Sequence, residues 1–466
     1  MATSATVDVS AVIDRSAIGW FQYRVFFVLM LIMLCDGFDT QSVAYVAPSL
    51  VAEWHLPPGT IGPVFASVLL GAMLGSFLFG TIADRIGRRC TLALCTAAFG
   101  VLNLASAYAT SIESFTVLRF LCGVGLGGAI PNVMALIAEY APLRKRATLI
   151  ATTWCGFALG AVLGGLVSVG LIAKYGWMSV FVVGGILPLL IVPLIITAIP
   201  DSIKFLILAN EDGAAVTAIL RKIAPGEQFD ARSLFVLQEK PQGRGRVSAL
   251  FKDGRAAGSI CLCLAFALSL TLVYLLISWI PLLLRQAGLP LQHALMGTVI
   301  FNLAGIVGSI VCTQLIDRKV VRPIPILMGA YFIGAVAVFS IGLVPYSLLP
   351  IMATIFLSGF FIIGVQLSLN AYITDFYPTA IRGTGVGWSQ VFGRSGSLLG
   401  PVVGGILVAR GTTPDTLFQI SSAAPFLAGV SLLVFAWVSR SRGATQKEFS
   451  HAVQVTDPAS PSAGPA

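Results

Sequence analysis

Two carboxylates, Asp36 and Asp39, interrupt the apolar run LMLIMLCDGFDTQSVAYVAP at residues 29–48. If this run forms a helix across a membrane, the two side chains share a face, because residues three apart are neighbours on a helix. A carboxylate at the centre of a bilayer costs about 2.5–3.5 kcal/mol, and burial and mutual repulsion both favour its protonated form. The pair therefore predicts a proton-exchanging site, with a structural hydrogen-bond acceptor as the alternative role for one aspartate.

Two arginines, Arg119 and Arg394, also lie within apolar runs. A buried arginine stays charged and therefore needs a partner. At 1.5 Å per residue, Arg119 and Asp39 fall at similar depths if both runs cross a membrane. We therefore assign Asp36, Asp39 and Arg119 to proton coupling, although a purely structural ion pair would also satisfy Arg119.

The composition indicates which elements position these residues. The chain has 466 residues, of which 57% are hydrophobic and 11% charged, and its mean hydropathy is +0.91. Soluble domains carry about 25% charged residues, so this chain lacks the polar surface of a soluble protein and is predicted to be integral to a membrane. A span needs about 20 apolar residues, and twelve runs are of that order: 22–47, 60–82, 90–109, 114–138, 148–172, 177–199, 257–284, 293–316, 323–343, 348–373, 383–408 and 417–438.

The spans predict an all-α integral membrane fold of two six-helix, pseudo-symmetric bundles. We expect a segment at 1–21, a first bundle at 22–199, a central loop at 200–256, a second bundle at 257–438 and a disordered tail at 439–466. Most of the 29 basic residues fall on the side that holds both termini, and cytoplasmic loops are rich in Lys and Arg. Both termini and the central loop are therefore expected in the cytoplasm, and the net charge of +9 indicates topology rather than nucleic-acid binding.

The sequence offers little material for a metal or cofactor site. The eight cysteines form no C-x-x-C motif, and the three histidines fall in loops or the tail, so we expect no metal, no cofactor and no enzyme activity. GVGLGG at 123–128 fits the dinucleotide pattern G-x-G-x-x-G, but that pattern requires a preceding strand. Glycines at this spacing inside a membrane span favour close helix packing instead.

The two halves of the chain repeat. EYAPLRKRA at 139–147 aligns with DFYPTAIRG at 375–383, and Gly160 aligns with Gly396. Parallel repeats with a site near the midplane between them are typical of secondary transporters. The acid pair of the first half has no carboxylate counterpart in the second, which assigns proton handling to the first half and leaves Arg394 as the second half's group for an anion.

Several motifs resemble those of the major facilitator superfamily. GTIADRIGRR at 80–89 resembles the superfamily's loop signature between helices two and three, RFLCGVGLGG at 119–128 its fourth-helix motif, and PDSIKFLI at 200–207 its element after helix six. IDRKVVR at 316–322 departs from the pattern, because the second loop signature has lost its glycines.

A narrower resemblance rests on DGFDT at 36–40, AYAT at 107–110, IPNVMALIAEYAP at 130–142 and YGW at 175–177. Together these segments are similar to the aromatic acid:proton symporters, which include bacterial 4-hydroxybenzoate, protocatechuate and benzoate uptake proteins. The resemblance implies twelve helices that move one aromatic carboxylate with protons across a bacterial inner membrane. The family's functional residues match Asp36, Asp39, Asp84, Arg85, Arg119, Glu139 and Arg394.

An aromatic acid needs a fork-shaped cation for its carboxylate and flat apolar walls for its ring. We assign the carboxylate to Arg394, the basic residue deep in the second half. Gln366 and Asn302 are assigned to ring hydroxyls, although membrane helices also use amides to hold helices together. The aromatic candidates, each of which could equally be ordinary packing, are Phe38, Tyr274 and Trp388.

Charged residues at the cytoplasmic helix ends are predicted to form gates. Gly80 would permit close helix approach, and Asp84 would cap or face a neighbouring helix N-terminus. In the family, the 80–89 loop clamps the two halves in the outward-facing state. Equivalent ion pairs are expected at the repeated helix ends, which gives a gating set of Gly80, Asp84, Arg85, Arg88, Glu139, Arg146, Asp375 and Arg382.

These features predict a monomeric secondary transporter in the cell membrane that imports an aromatic carboxylate with protons. The nearest alternative is a facilitator that carries another organic anion, a sugar acid or a metabolite, or that exports drugs. A membrane enzyme or a nontransporting sensor is the alternative of a different class, and the scarcity of histidine and the full set of gate motifs argue against it.

Overall fold

A computed structural model describes residues 6–208, 213–227, 229, 234–236, 247–252, 255–318, 323–378 and 381–438. Twelve of its helices are long and apolar enough to cross a membrane, and they coincide with the twelve predicted spans. In chain order, the described elements are β1 (Thr6–Asp8), α1 (Val9–Arg15), α2 (Trp20–Glu53), α3 (Ile61–Ile86), α4 (Arg88–Ala107), α5 (Ile112–Tyr140), α6 (Leu143–Tyr175), α7 (Met178–Ala198), α8 (Ile203–Leu208), α9 (Gly213–Ile223), β2 (Leu234–Val236), α10 (Ala256–Gln286), α11 (Leu291–Asp317), α12 (Pro323–Ile341), α13 (Leu348–Phe376), α14 (Arg382–Ala409) and α15 (Pro414–Ser421), which opens the last span, Pro414–Val438.

The helices pack in the same way in both halves. In the first bundle α2 packs on α6, α3 on α5 and α4 on α7. In the second bundle the equivalent pairs are α10 with α14, α11 with α13 and α12 with α15. The predicted architecture of two pseudo-symmetric six-helix bundles is therefore confirmed.

Glycines allow the backbones of these pairs to touch. A Cβ atom at Gly160 of α6 would collide with the backbone carbonyl of Leu34 on α2, and one at Gly396 of α14 with that of Ala267 on α10. The aligned glycines of the two halves thus make the same contact, as expected for small residues between helices in lipid. Gly123 and the rest of the GVGLGG segment lie inside α5 and pack on α3 and α4, so the segment lacks the strand that a dinucleotide site requires.

The ends of the spans form two faces. The basic face holds the start of α2 and the turns at Gly87 and Pro142, next to most of the described arginines. The distal face holds the opposite ends, including the turns at Pro57, Gly176 and Gly288. By the excess of Lys and Arg, the basic face is the one predicted to be cytoplasmic.

The N-terminal segment is folded onto the basic face, which the sequence did not predict. β1 pairs in parallel with β2 of the central loop, so the chain contains a short two-stranded sheet beside its helices. Arg15 of α1 pairs with Glu227 at 2.6 Å, and Asp14 accepts a hydrogen bond from the Leu143 amide at 2.8 Å. These contacts tie the segment to the central loop and to the start of α6. The predicted tail at 439–466 lies outside the described residues.

Candidate functional site

Asp39 and Arg119 form an ion pair inside the first bundle. Arg119 Nη1 lies 3.1 Å from Asp39 Oδ1, and both side chains are fully buried. This is the partnership that their similar depths favoured. Arg119 Nη2 donates to Asn103 Oδ1 at 2.7 Å, and Cys122 Sγ donates to Asp39 Oδ2 at 3.4 Å. Both oxygens of Asp39 therefore have a partner.

Asp36 is in a different situation, although it lies less than one helical turn away. Its Oδ1 accepts a hydrogen bond from Thr40 Oγ1 at 3.2 Å. Its Oδ2 is buried and has no hydrogen-bond partner among the described residues, while the residue is only 2% exposed. A buried carboxylate with one open oxygen is costly as an anion, so the charge of Asp36 is less well compensated by hydrogen bonds than that of Asp39.

Arg394 lies between the two bundles. Pro401 is about two helical turns further along α14, so the two residues share a face. Gly62 of α3 packs against Pro401 and Gly405, so this face is directed at the first bundle. Arg394 is exposed and interacts electrostatically with Asp36 and with Tyr274. The structure thus brings a cation of the second half close to the incompletely bonded acid of the first.

Amide side chains extend this region within the second bundle. Gln390 of α14 donates to Asn370 of α13 at 2.9 Å. Gln366 and Arg394 each lie one turn, about 6 Å, nearer the distal face on their own helices. Gln366 is partly buried, so it and Arg394 stand at the same level on neighbouring helices.

Tyr274 is the sequence-assigned aromatic residue that faces this space. With Thr40 of α2 and Phe65 of α3, it lines a small cavity between the bundles. Because Thr40 is hydrogen-bonded to Asp36, the cavity lies next to the face of α2 that carries Asp36. Tyr274 therefore belongs with Asp36 and Arg394 in one cluster, which we call the central site.

The side chains of the two other aromatic candidates point elsewhere in this structure. Phe38 is buried and its ring packs on Gly164 of α6 and Gly184 of α7. Trp388 packs on Phe392 in an exposed stripe of α14, and it lies about 120° around the helix from Arg394. Phe38 thus fills a helix junction of the first bundle, and Trp388 faces away from the central site.

Asn302 joins the two bundles. Its Nδ2 donates to Gln41 Oε1 at 2.9 Å, and Gln41 Nε2 donates to Asn302 Oδ1 at 3.3 Å. Gln41 also accepts from the Tyr45 hydroxyl at 3.0 Å. Both amides are buried. Asn302, which we assigned from the sequence to a ring hydroxyl of the substrate, therefore contacts the other bundle in this structure.

The bundles meet towards the distal face. Besides the amide pair, Phe65 packs on Trp279 at 5.5 Å between ring centroids, and Gly62 packs on Gly405. Near the basic face, a Cβ atom at Gly80 or Gly383 would meet nothing within 4 Å, so open space lies beside both glycines. The contacts between the bundles thus close the central site towards the distal face, and these two positions of the basic face are not closed. The close approach expected at Gly80 is absent in this conformation.

The predicted gate residues are only partly paired in this conformation. Glu139 pairs with Arg88 at 3.0 Å and accepts from Ser202 at 2.6 Å, so its ionic partner lies on α4. Arg146 and Arg382 instead donate to backbone carbonyls near their own helix starts. Of the predicted gate residues, Asp84, Arg85 and Asp375 are exposed and have no ion-pair partner within 4.0 Å among the described residues.

Four residues that hydrogen-bond to residues assigned from the sequence were not themselves assigned to the site. They are Thr40, Gln41, Asn103 and Cys122. Thr40 lies one turn from Asp36, so its hydrogen bond could have been predicted from spacing. Asn103, Cys122 and Gln41 reach their partners only across helix junctions. Polar residues inside predicted spans are common, and a sequence pattern does not fix which of them meet.

Known proteins with similar sequences are transporters. The family model of the Major Facilitator Superfamily matches residues 29–401. A gallate transporter of Pseudomonas putida is 34% identical over 92% of this chain and 95% of its own length. The 4-hydroxybenzoate transporter PcaK of Pseudomonas aeruginosa is 33% identical over 93% of this chain and 97% of its own length.

Solved structures share the fold at lower identity. A D-xylose-proton symporter superposes with a TM-score of 0.67 over 88% of this chain and 97% of that chain, at 19% identity. A bacterial homologue of the human lysosomal transporter Spinster superposes with a TM-score of 0.68 over 91% of this chain and 98% of that chain, at 16% identity. The arrangement of twelve helices is therefore one that known transporters adopt.

Proposed function

Because the chain belongs to the Major Facilitator Superfamily, and to the aromatic acid transporters within it, we propose that it imports an aromatic carboxylate together with protons. The observation that carries the proposal is the central site, where the buried Asp36 of one bundle lies within electrostatic range of Arg394 on the other. Such a site between the two repeats is where secondary transporters bind their substrates and coupling ions.

The chemistry of the central site suits an aromatic acid. The carboxylate of the substrate is an anion at neutral pH and pairs with the planar guanidinium of Arg394. Tyr274 offers a ring face and a hydroxyl, and Gln366 offers an amide at the same level as Arg394. Gallate and 4-hydroxybenzoate, which similar transporters carry by name, differ in their ring hydroxyls, so the amide and hydroxyl groups are the ones we assign to choosing between them.

The proposed cycle links protonation to substrate binding. Asp36 receives a proton while the site is open to the outside, and the substrate anion then binds Arg394. In the loaded site, Asp36 is protonated and neutral, and the carboxylate of the substrate balances the charge of Arg394. The bundles can therefore rock past the site at lower electrostatic cost. Release of the substrate and proton on the other side resets the pair.

The gates follow from the same scheme. We assign the basic face to the cytoplasm of a bacterial inner membrane, on the basis of the excess of Lys and Arg, and treat the protein as a monomer. The amide pair of Gln41 and Asn302 closes the outer side in the conformation described. The residues that would close the inner side, once the bundles rock, are Gly80, Asp84, Arg85, Asp375 and Arg382.

Uptake by intact cells tests the proposed function. In a host without aromatic acid transport, cells that produce the protein should accumulate labelled gallate, 4-hydroxybenzoate or benzoate, and a protonophore should abolish accumulation. A panel with sugar acids and aliphatic acids provides the control. Uptake of a sugar acid in preference to every aromatic acid would contradict the substrate class, and uptake that ignores the protonophore would contradict the coupling.

Disruption of the amide pair should open the outer side. In Asn302→Leu, the buried Gln41 keeps its bond from Tyr45 but loses its partner on the other bundle, which leaves its amide group unpaired and costs about 1–3 kcal/mol in the closed state. We expect faster labelling of an introduced Ala409→Cys by a membrane-impermeant maleimide, with the exposed Cys90 and Cys155 replaced by serine. The exchange Gln41→Asn with Asn302→Gln retains one amide on each bundle and should restore slow labelling. Equal labelling of all three proteins would contradict the role of the pair.

A further inference from the structure

Asp36 and Asp39 of α2 have different surroundings, and the difference comes from Asn103 and Cys122. Both residues are completely buried, and neither lies on the helix of the acids. We propose that Asn103 and Cys122 are positioning residues that hold Asp39 as the permanent counter-charge of Arg119, which leaves Asp36 as the group that exchanges the coupling proton. This inference rests on the proposed function and assigns a separate role to each acid.

Cys122 completes the bonding of Asp39. Its thiol donates to Asp39 Oδ2 at 3.4 Å, while Arg119 holds Oδ1 at 3.1 Å. Protonation of Asp39 would cost it one of these two donors and would leave the buried guanidinium without its anion, which is strongly unfavourable. Asp36 loses no such partner, because its Oδ2 is open.

Asn103 fixes the other side of the ion pair. Its Oδ1 accepts from Arg119 Nη2 at 2.7 Å, and its Nδ2 donates to the Gly184 carbonyl on α7 at 3.4 Å. The rings of Phe181 and Phe115 lie 4.9 Å and 6.0 Å from the guanidinium carbon. The guanidinium is therefore oriented by α4, α5 and α7 together, and one of its edges is aimed at Asp39.

The titratable and charged groups around Asp39 can be named for each neighbouring helix. α2 itself contributes Asp36 and Cys35, and α5 contributes Arg119 and Cys122. Cys95 of α4 packs on Gly128, further towards the basic face. From the second bundle, Tyr274 and Arg394 lie on the side of Asp36. At the level of the ion pair, the described residues of α3, α6 and α7 add none. Cys122 is thus the neutral donor whose removal alters Asp39 without changing the charge around it.

A set of cysteine variants tests the role of Cys122. Removal of the thiol leaves Asp39 Oδ2 without the donor that Cys122 supplies, so uptake by Cys122→Ala should fall more steeply than wild-type uptake between pH 7.5 and 5.5. One hydrogen bond contributes about 0.5–1.5 kcal/mol, so the rate relative to the wild type should drop by about threefold to tenfold. Cys122→Ser keeps a donor and should restore the profile, and Cys95→Ala removes an equally buried thiol as the control.

Asparagine variants test the other half of the inference. Asn103→Leu removes the acceptor of Arg119 at similar volume, and it should lower the maximal uptake rate by at least about tenfold. Asn132→Leu is the control, because Asn132 is equally buried but bonds only within α5. Where Asn103→Leu yields no folded protein by size-exclusion chromatography, the cysteine set decides.

Two results would overturn the assignment. Cys122→Ala with the wild-type pH profile would show that the thiol does not hold Asp39. Equal, pH-independent losses in Cys122→Ala and Cys95→Ala, without recovery in Cys122→Ser, would reduce Cys122 to a packing residue. Either result leaves the proposed function intact if wild-type uptake remains proton-driven, whereas a wild-type protein that accumulates no aromatic acid would refute the proposed function instead.

Discussion

Asp36→Asn is expected to abolish proton-driven accumulation while leaving substrate exchange in place. The asparagine is a permanent neutral analogue of the protonated acid, so the carrier can still bind the anion at Arg394 and rock between its two states. It cannot release a proton to reset the empty site. We expect net uptake to fall by at least about 100-fold, which corresponds to about 2.7 kcal/mol in the barrier. Exchange of labelled for unlabelled substrate in preloaded vesicles should persist.

The neighbouring hydroxyl provides a matched control for that result. Thr40→Val removes the hydrogen bond to Asp36 Oδ1 without removing the acid, and one such bond contributes about 0.5–1.5 kcal/mol. Its net uptake should therefore decrease by no more than about tenfold. If Asp36→Asn accumulated substrate with the wild-type dependence on the pH gradient, Asp36 would not be the coupling group.

Arg394→Ala is expected to remove most of the affinity for the carboxylate. Hydrogen bonds to a charged group contribute about 1.5–3 kcal/mol, so the dissociation constant of the labelled acid should rise by about 10- to 100-fold. Arg394→Lys keeps the charge but loses the two-pronged geometry that matches a carboxylate, and its affinity should be intermediate. Equilibrium binding to purified protein measures both effects.

The specificity of this loss can be checked with a neutral ligand. 4-Hydroxybenzamide lacks the carboxylate, so the wild type should bind it much more weakly than 4-hydroxybenzoate, and Arg394→Ala should bind the two compounds alike. Arg410→Ala, at the distal end of the same helix, is the control and should bind like the wild type. Retention of the acid-over-amide preference in Arg394→Ala would place the carboxylate elsewhere.

The sequence was sufficient for the scaffold because hydrophobic length and repetition act along the chain. All twelve spans could be predicted, and the aligned glycines Gly160 and Gly396 make equivalent helix contacts. The charged members of the site stood out for the same reason, since Asp36, Asp39, Arg119 and Arg394 interrupt apolar runs. A charge in such a run is costly wherever it points, so its position is informative without a structure.

The neutral members of the site were harder to predict, because their roles depend on the rotation of each helix. Phe38 lies between Asp36 and Asp39 in sequence, yet its ring fills a junction with Gly164 and Gly184. Asn302 lies at a plausible depth for a ligand contact, but its amide is hydrogen-bonded to Gln41.

The gate pairs depend on the conformation as well as on the sequence. Repetition pairs Glu139 with Asp375 and Arg146 with Arg382 as equivalents, but it does not fix their partners. In the conformation described, Glu139 binds Arg88 within the first bundle, while Asp375 is exposed. The two halves thus keep the same charged positions and use them differently once the basic face is open.

Accumulation in proteoliposomes with an imposed pH gradient is the most direct measurement of coupling between protons and an aromatic acid at the central site. Purified wild-type protein in vesicles with an alkaline lumen should concentrate labelled 4-hydroxybenzoate or gallate above the external level. A protonophore should collapse that accumulation, and Asp36→Asn should show none of it while still exchanging substrate. Accumulation that is equal with and without the gradient, or that is the same in the wild type and Asp36→Asn, would contradict the proposed mechanism.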